Sequence, residues 1–127
     1  MELSIVLLAL LTASTLLEAQ TTASVTGKWK VHTVMVQESD SVCTFTQKDT
    51  ELTGNCEGDN GKNDIIGKVE GNKVTWSFKT DYNGSPLTVS YEGTLDSDAK
   101  MAGPAHVAEM GIDGDFTAVK DTGASAK

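Results

Sequence analysis

The side chains with chemistry to offer in this sequence are two cysteines, two histidines and a few loop carboxylates. Cys43 and Cys56 can be read as a structural bridge, a redox dithiol or half of a metal site. No Cys-x-x-Cys spacing is present and no histidine lies close enough in sequence to complete a zinc set, which favours the bridge. A hairpin turn centred on Asp49-Thr50 pairs Lys48 with Glu51, and that register sets Cys43 opposite Cys56 and Phe45 opposite Gly54. Closing a loop of about 15 residues contributes about 3 kcal/mol on the chain-entropy model. His32 and His106 fall on outward positions, far apart and with no serine or cysteine motif, so they read as solvated surface groups without a triad. The run Asp59-Asn60-Gly61-Lys62-Asn63-Asp64 is rich in oxygen ligands but lacks EF-hand spacing and its terminal glutamate. Asp96/Asp98 and Asp113/Asp115 are explained as turn residues that accept local backbone hydrogen bonds. The expectation is a protein that is not an enzyme, with no catalytic residue, no metal ligand and no cofactor.

What must position these groups is one small domain. The chain has 127 residues, is 39% hydrophobic and 6% aromatic, and carries 12 glycines with a formal charge of −8. Its basic residues are all lysine, with no arginine, set against 18 acidic side chains. That balance argues against nucleic acid and anionic membranes, which reward a cationic face and the guanidinium fork.

Leu3 to Leu17 is an apolar run of signal-peptide length, shorter than the ~20 residues of a membrane-spanning helix. Cleavage after Ala19 is expected, although Leu17 is large for its position and Glu2 replaces the usual basic start. Lipid attachment is not expected, because no cysteine follows the run. The predicted organisation is a signal peptide over 1–19, a flexible arm over 20–25, a barrel domain over 26–120 and a disordered tail over 121–127. The expected location is secreted or periplasmic, where a disulfide persists.

Beyond the signal, period-2 alternation recurs in short segments separated by Gly, Asn, Asp or Ser, the signature of an all-β sandwich or barrel. No stretch there reads as helical. The first strand spans Gly27 to Val36, with Trp29, Val31, Thr33 and Met35 on one face and Lys28, Lys30 and His32 on the other. A Gly71-Asn72 turn pairs Val69 with Val74, Gly67 with Trp76 and Ile65 with Phe78; an Asn83-Gly84 turn pairs Phe78 with Val89 and Trp76 with Tyr91. Both turns put the same residues inside, and a one-residue slip would turn every one outward. The seventh strand, Lys100 to Val107, is interrupted by Pro104 and reads as an edge. The eighth, Gly114 to Val119, directs Phe116 and Ala118 inward to close against the first. The predicted fold is an antiparallel up-and-down meander of about eight strands, closed or partly open. Inward glycines at Gly54, Gly67, Gly93 and Gly103 let strands coil and leave room for facing rings such as Phe45 and Trp76. They lie in strands, so a phosphate-binding loop is not indicated.

Thr26-Gly27-Lys28-Trp29, Leu52-Thr53-Gly54, Val74-Thr75-Trp76 and Tyr91-Glu92-Gly93 resemble the strand motifs of avidin-like barrels, and the Gly-x-Trp opening is also similar to the start of calycin, lipocalin-like, barrels. The resemblance implies the fold. It does not imply a biotin site, because the corresponding inward places hold Val31, Met35, Cys56 and Val89, which supply no hydrogen-bond partners for a ureido group. The chain also resembles uncharacterised exported bacterial proteins with a Gly-x-Trp start. More weakly, Trp29 with Cys43 and Cys56 resembles the small bacterial metalloprotease inhibitors. That second likeness implies a contact made by Gln20 to Ser24 with a secreted protease.

A barrel of eight strands either fills with side chains or holds one small ligand. The sequence therefore points to an exported binding protein for a small apolar molecule, with Trp76, Tyr91, Phe78, Val89 and Val31 as the pocket lining. The alternatives are a protein-interaction module, such as a protease inhibitor acting through its arm or loops, and a structural barrel with a filled core. Oligomeric state has no signature in the sequence.

Overall fold

The computed structural model describes residues 24–59 and 61–121. The signal peptide, most of the arm and the tail beyond Asp121 lie outside the described residues. The strands are β1 (Gly27–Val34), β2 (Glu38–Lys48), β3 (Glu51–Gly58), β4 (Gly61–Glu70), β5 (Lys73–Tyr82), β6 (Ser85–Ser97), β7 (Lys100–Val107) and β8 (Ile112–Lys120). Each pairs antiparallel with the next, and β8 pairs with β1 to close the barrel. The alternation has its expected consequence: Trp29, Val31, Phe45, Leu52, Ile65, Val74, Trp76 and Phe116 are buried inside, whereas lysines, threonines and acids face outward. A barrel embedded in lipid shows the reverse arrangement.

Turn chemistry sets the registers. Asp49-Thr50 yields Lys48↔Glu51 and Cys43↔Cys56, and the two cysteines form a disulfide directly across the β2–β3 ladder. Asn83 and Gly84 both take positive φ, 53° and 84°, as a type I′ turn requires. This gives Phe78↔Val89 and Trp76↔Tyr91. Gly71-Asn72 yields Val69↔Val74 and Gly67↔Trp76.

Five expectations need correction. Asp113 and Asp115, read as turn residues, lie within β8, where Asp113 is the cross-strand partner of His106. The β4–β5 ladder ends at Ile66↔Ser77, before Ile65 and Phe78 can pair. β7 is not an edge, because it pairs with both β6 and β8. Pro104 falls in the interruption of the β6–β7 ladder between Tyr91↔Ala105 and Thr94↔Ala102, where no β6 partner calls on its missing amide, and it keeps its pairing with Asp115 on the β8 side. One 3-10 turn, Ala108–Met110, joins β7 to β8 where no helix was expected. The first strand ends at Val34, although Met35 in the following bend still points inward against the core.

The glycines act mainly on the backbone. A Cβ on Gly67 would stand 1.9 Å from the Thr75 carbonyl oxygen, so the close approach of β4 to β5 forbids any side chain there. The room-for-a-ring role belongs to Gly93, where a Cβ would meet Phe116 Cζ at 3.0 Å.

Candidate ligand-binding site

One end of the barrel is plugged from the inside. Val25 and Trp29 are fully buried, and Trp29 Nε1 donates to the Val25 carbonyl at 2.9 Å. Val25 N donates to Gln47 Oε1, and Gln47 N donates to Thr26 Oγ1. The segment entering β1 is therefore stitched to β2, so the last residue of the span read as an arm is anchored. Lys120 Nζ lies 5.8 Å from the Trp29 ring centroid and donates to the Ser24 carbonyl. Asp121 N donates to Lys28 O at 2.7 Å, so the exit from β8 lies beside the entry to β1.

Above this plug sits a belt of rings. Trp76 stacks on Tyr91 at 4.8 Å with an interplanar angle of 10°, and meets Phe45 and Phe116 edge-on at 4.9 and 5.2 Å. Offset and edge contacts of this kind add about 0.5–1.5 kcal/mol per pair beyond area burial. Trp76 Nε1 is buried without a hydrogen-bond partner.

The other end is hollow. A cavity of about 460 Å³ opens between the β1–β2 and β5–β6 turns. Its walls include Thr33, Met35, Phe78, Leu87, Val89, Tyr91, Val107 and Ile112. Its rim includes Glu38, Asp59 and Asp81. The hollow follows from the registers: β4 and β5 do not pair with each other beyond Ile66↔Ser77, and Phe78, Val89 and Met35 are only partly buried against the core. Tyr91 forms part of the floor. Burial raises its phenol above the usual pKa, opposed by a hydrogen bond with Thr33. Glu109 ties the 3-10 turn to β6 by accepting from Thr88 N at 2.8 Å and Thr88 Oγ1 at 3.0 Å. The amide bond is the main reason its carboxyl lies below the ordinary range.

Three residues expected to line a pocket, Phe78, Val89 and Tyr91, do meet in the cavity wall. Trp76 lies behind Tyr91, and Val31 is buried among core side chains, so neither lines it. Thr33, Met35, Val107 and Ile112 complete the wall. Val107↔Ile112 closes the β7–β8 hairpin, a pairing that the alternation of β7 could have revealed had it been carried through the turn.

Charge divides with the same polarity. Beyond the strand midpoints, the hollow half carries Glu38, Asp40, Glu57, Asp59, Asp64, Asp81, Glu109, Asp113 and Asp115 against Lys62 and Lys79. Lys28, Lys30, Lys48, Lys68, Lys73, Lys100 and Lys120 belong to the plugged half, where acids such as Glu51 and Glu70 offset them.

The histidines sit outside the cavity. His32 Nδ1 is 2.7 Å from Asp40 Oδ1 and its Nε2 3.3 Å from Glu38 Oε1. His106 Nδ1 is 2.7 Å from Asp113 Oδ1, with Glu92 at 3.7 Å from Nε2. Each pKa is raised, chiefly by the hydrogen bond to its aspartate. Thr117 and Ser90 are their cross-strand neighbours. No cluster of His, Cys, Asp and Glu suited to a metal ion occurs among the described residues.

No protein-family model matches the chain and no curated protein matches its sequence. Among solved structures it is similar to redesigned β-barrels. One shares 19% identity at a TM-score of 0.60, over 75% of this chain and 90% of that one. The redesigned barrel mFAP0, bound to DFHBI, shares 18% identity at 0.58, over 75% of this chain and 97% of that one. A third, mFAP1 bound to DFHBI, shares 13% at 0.53, over 75% and 93%. At these identities the likeness concerns the fold: this chain is an eight-stranded antiparallel closed barrel.

Proposed function

We propose that this protein is an exported, non-enzymatic barrel that takes one small, largely apolar molecule into its hollow end. The observation that carries the reading is the cavity of about 460 Å³ walled by Phe78, Val89, Met35 and Val107 and floored by Tyr91. Sites for small molecules commonly have volumes of about 300–1,000 Å³ with mostly apolar walls and a few polar anchors. The Tyr91–Thr33 hydroxyl pair supplies such an anchor. Two redesigned barrels of the same fold hold a small molecule, DFHBI, which supports the capacity of this architecture to do so. The Cys43–Cys56 disulfide and the apolar run Leu3 to Leu17 support export. Neither histidine lines the cavity, which supports binding over catalysis.

Titration of the disulfide-bonded protein with the neutral probe N-phenyl-1-naphthylamine tests this. The expected result is saturable one-to-one uptake with a blue-shifted probe emission. Val89→Trp, which fills the cavity, should abolish uptake, and Ile66→Ser on the outer wall should leave it unchanged. No saturable uptake of this or comparable neutral aromatics, or undiminished uptake by Val89→Trp, would overturn the proposal.

A further inference from the structure

We infer that the molecule this cavity selects is cationic: an organic ammonium carried on an apolar, preferably aromatic, body. This rests on the ligand-binding reading above and adds the sign of the charge. The cavity itself is the site; the charge of its rim decides what enters. Glu38, Asp59 and Asp81 line the mouth, and among the described residues lining the cavity there is neither Lys nor His. All three carboxylates are exposed. His32 touches this rim from the outer wall, 3.3 Å from Glu38, and its influence fades once it loses its proton.

An apolar acid entering this mouth would carry its carboxylate past three like charges with no basic side chain to receive it. An ammonium group meets the opposite situation. Field lines concentrate where one sign of charge rings a low-dielectric hollow. The Phe78 ring in the cavity wall also attracts cations through its quadrupole. Both contributions act on the same end of the molecule, since seven of the nine described lysines lie in the other half.

The test uses three ligands with one ring system: 1-naphthylmethylammonium, 1-naphthylmethanol and 1-naphthoate, titrated calorimetrically into the disulfide-bonded protein at pH 8. The ammonium should bind about tenfold tighter than the alcohol, and the carboxylate weakest, with the spread shrinking as salt shortens the Debye length below about 10 Å. The variant Glu38→Gln/Asp59→Asn/Asp81→Asn should erase the ranking, whereas Ile66→Ser on the outer wall should preserve it. Equal affinity for all three ligands, or a preference for the carboxylate, overturns the charge inference and leaves the binding reading standing. Failure of all three ligands, and of the neutral probe above, overturns both.

Discussion

At one end of the barrel, three hairpins and the two ends of the described chain meet around Trp29, which is fully buried and bonded to the Val25 carbonyl. At the other, four connections surround Phe78, Val89 and Met35, which reach the core only in part. Both ends have the same apolar inner face to cover. The plugged end covers it with a segment of its own chain, tied down by Gln47. At the hollow end none of the described residues covers it, and carboxylates ring it. A small domain buries little surface to spare, so a permanently open cavity needs stability from elsewhere, here the plug, the ring belt and the disulfide.

The largest expected effect tests that division directly. Trp29→Ala should destabilise by about 3–5 kcal/mol, as is usual for a buried aromatic, whereas Phe78→Ala should cost about 1–2 kcal/mol because the ring is only partly buried. Urea unfolding of both variants measures the difference. Equal losses would mean that the ends share the load.

Replacing both cysteines, Cys43→Ala/Cys56→Ala, comes next, at about 3 kcal/mol. Because Cys56 borders a recess shared with Phe78 and Tyr91 near the mouth, amide exchange should accelerate first in the hollow half. Acceleration beginning around Trp29 would contradict the proposed division.

The smallest effect is electrostatic. The folded-state pKa values of His32 and His106 are raised above 6.5. Their contribution to stability is therefore fully present below about 6.5 and is lost as pH rises through the folded-state values. His32→Gln/His106→Gln should flatten the decline of Tm across that window, and NMR titration of the two rings should show both midpoints above that of a model histidine. Because both pairs are exposed, the shift in Tm should be slight.

Much of the barrel was legible because its determinants are local. Asp49-Thr50, Gly71-Asn72 and Asn83-Gly84 fix hairpin registers from two residues each, and alternation then places Cys43 against Cys56 and Trp76 against Tyr91. The departures arise where closure of the sheet decides. Strand tilt and shear are properties of all eight strands together, so neither the end of the β4–β5 ladder at Ile66↔Ser77 nor the pairing of β7 on both sides could be read from any single segment. The site shares this limit. Alternation alone puts Phe78, Val89 and Tyr91 on one inward face, but whether the row ends in packing or in a hollow depends on what crosses the barrel's two mouths. A lone Val25 beside polar residues gives little sign that it will become the cover.

Ser24 and Asp121 both emerge beside β1, at the plugged end. A tag, carrier or solid support joined at either position leaves the opposite mouth facing free solution. On the ligand-binding reading proposed above, the molecule can thus be immobilised in one orientation and queried as a sensor.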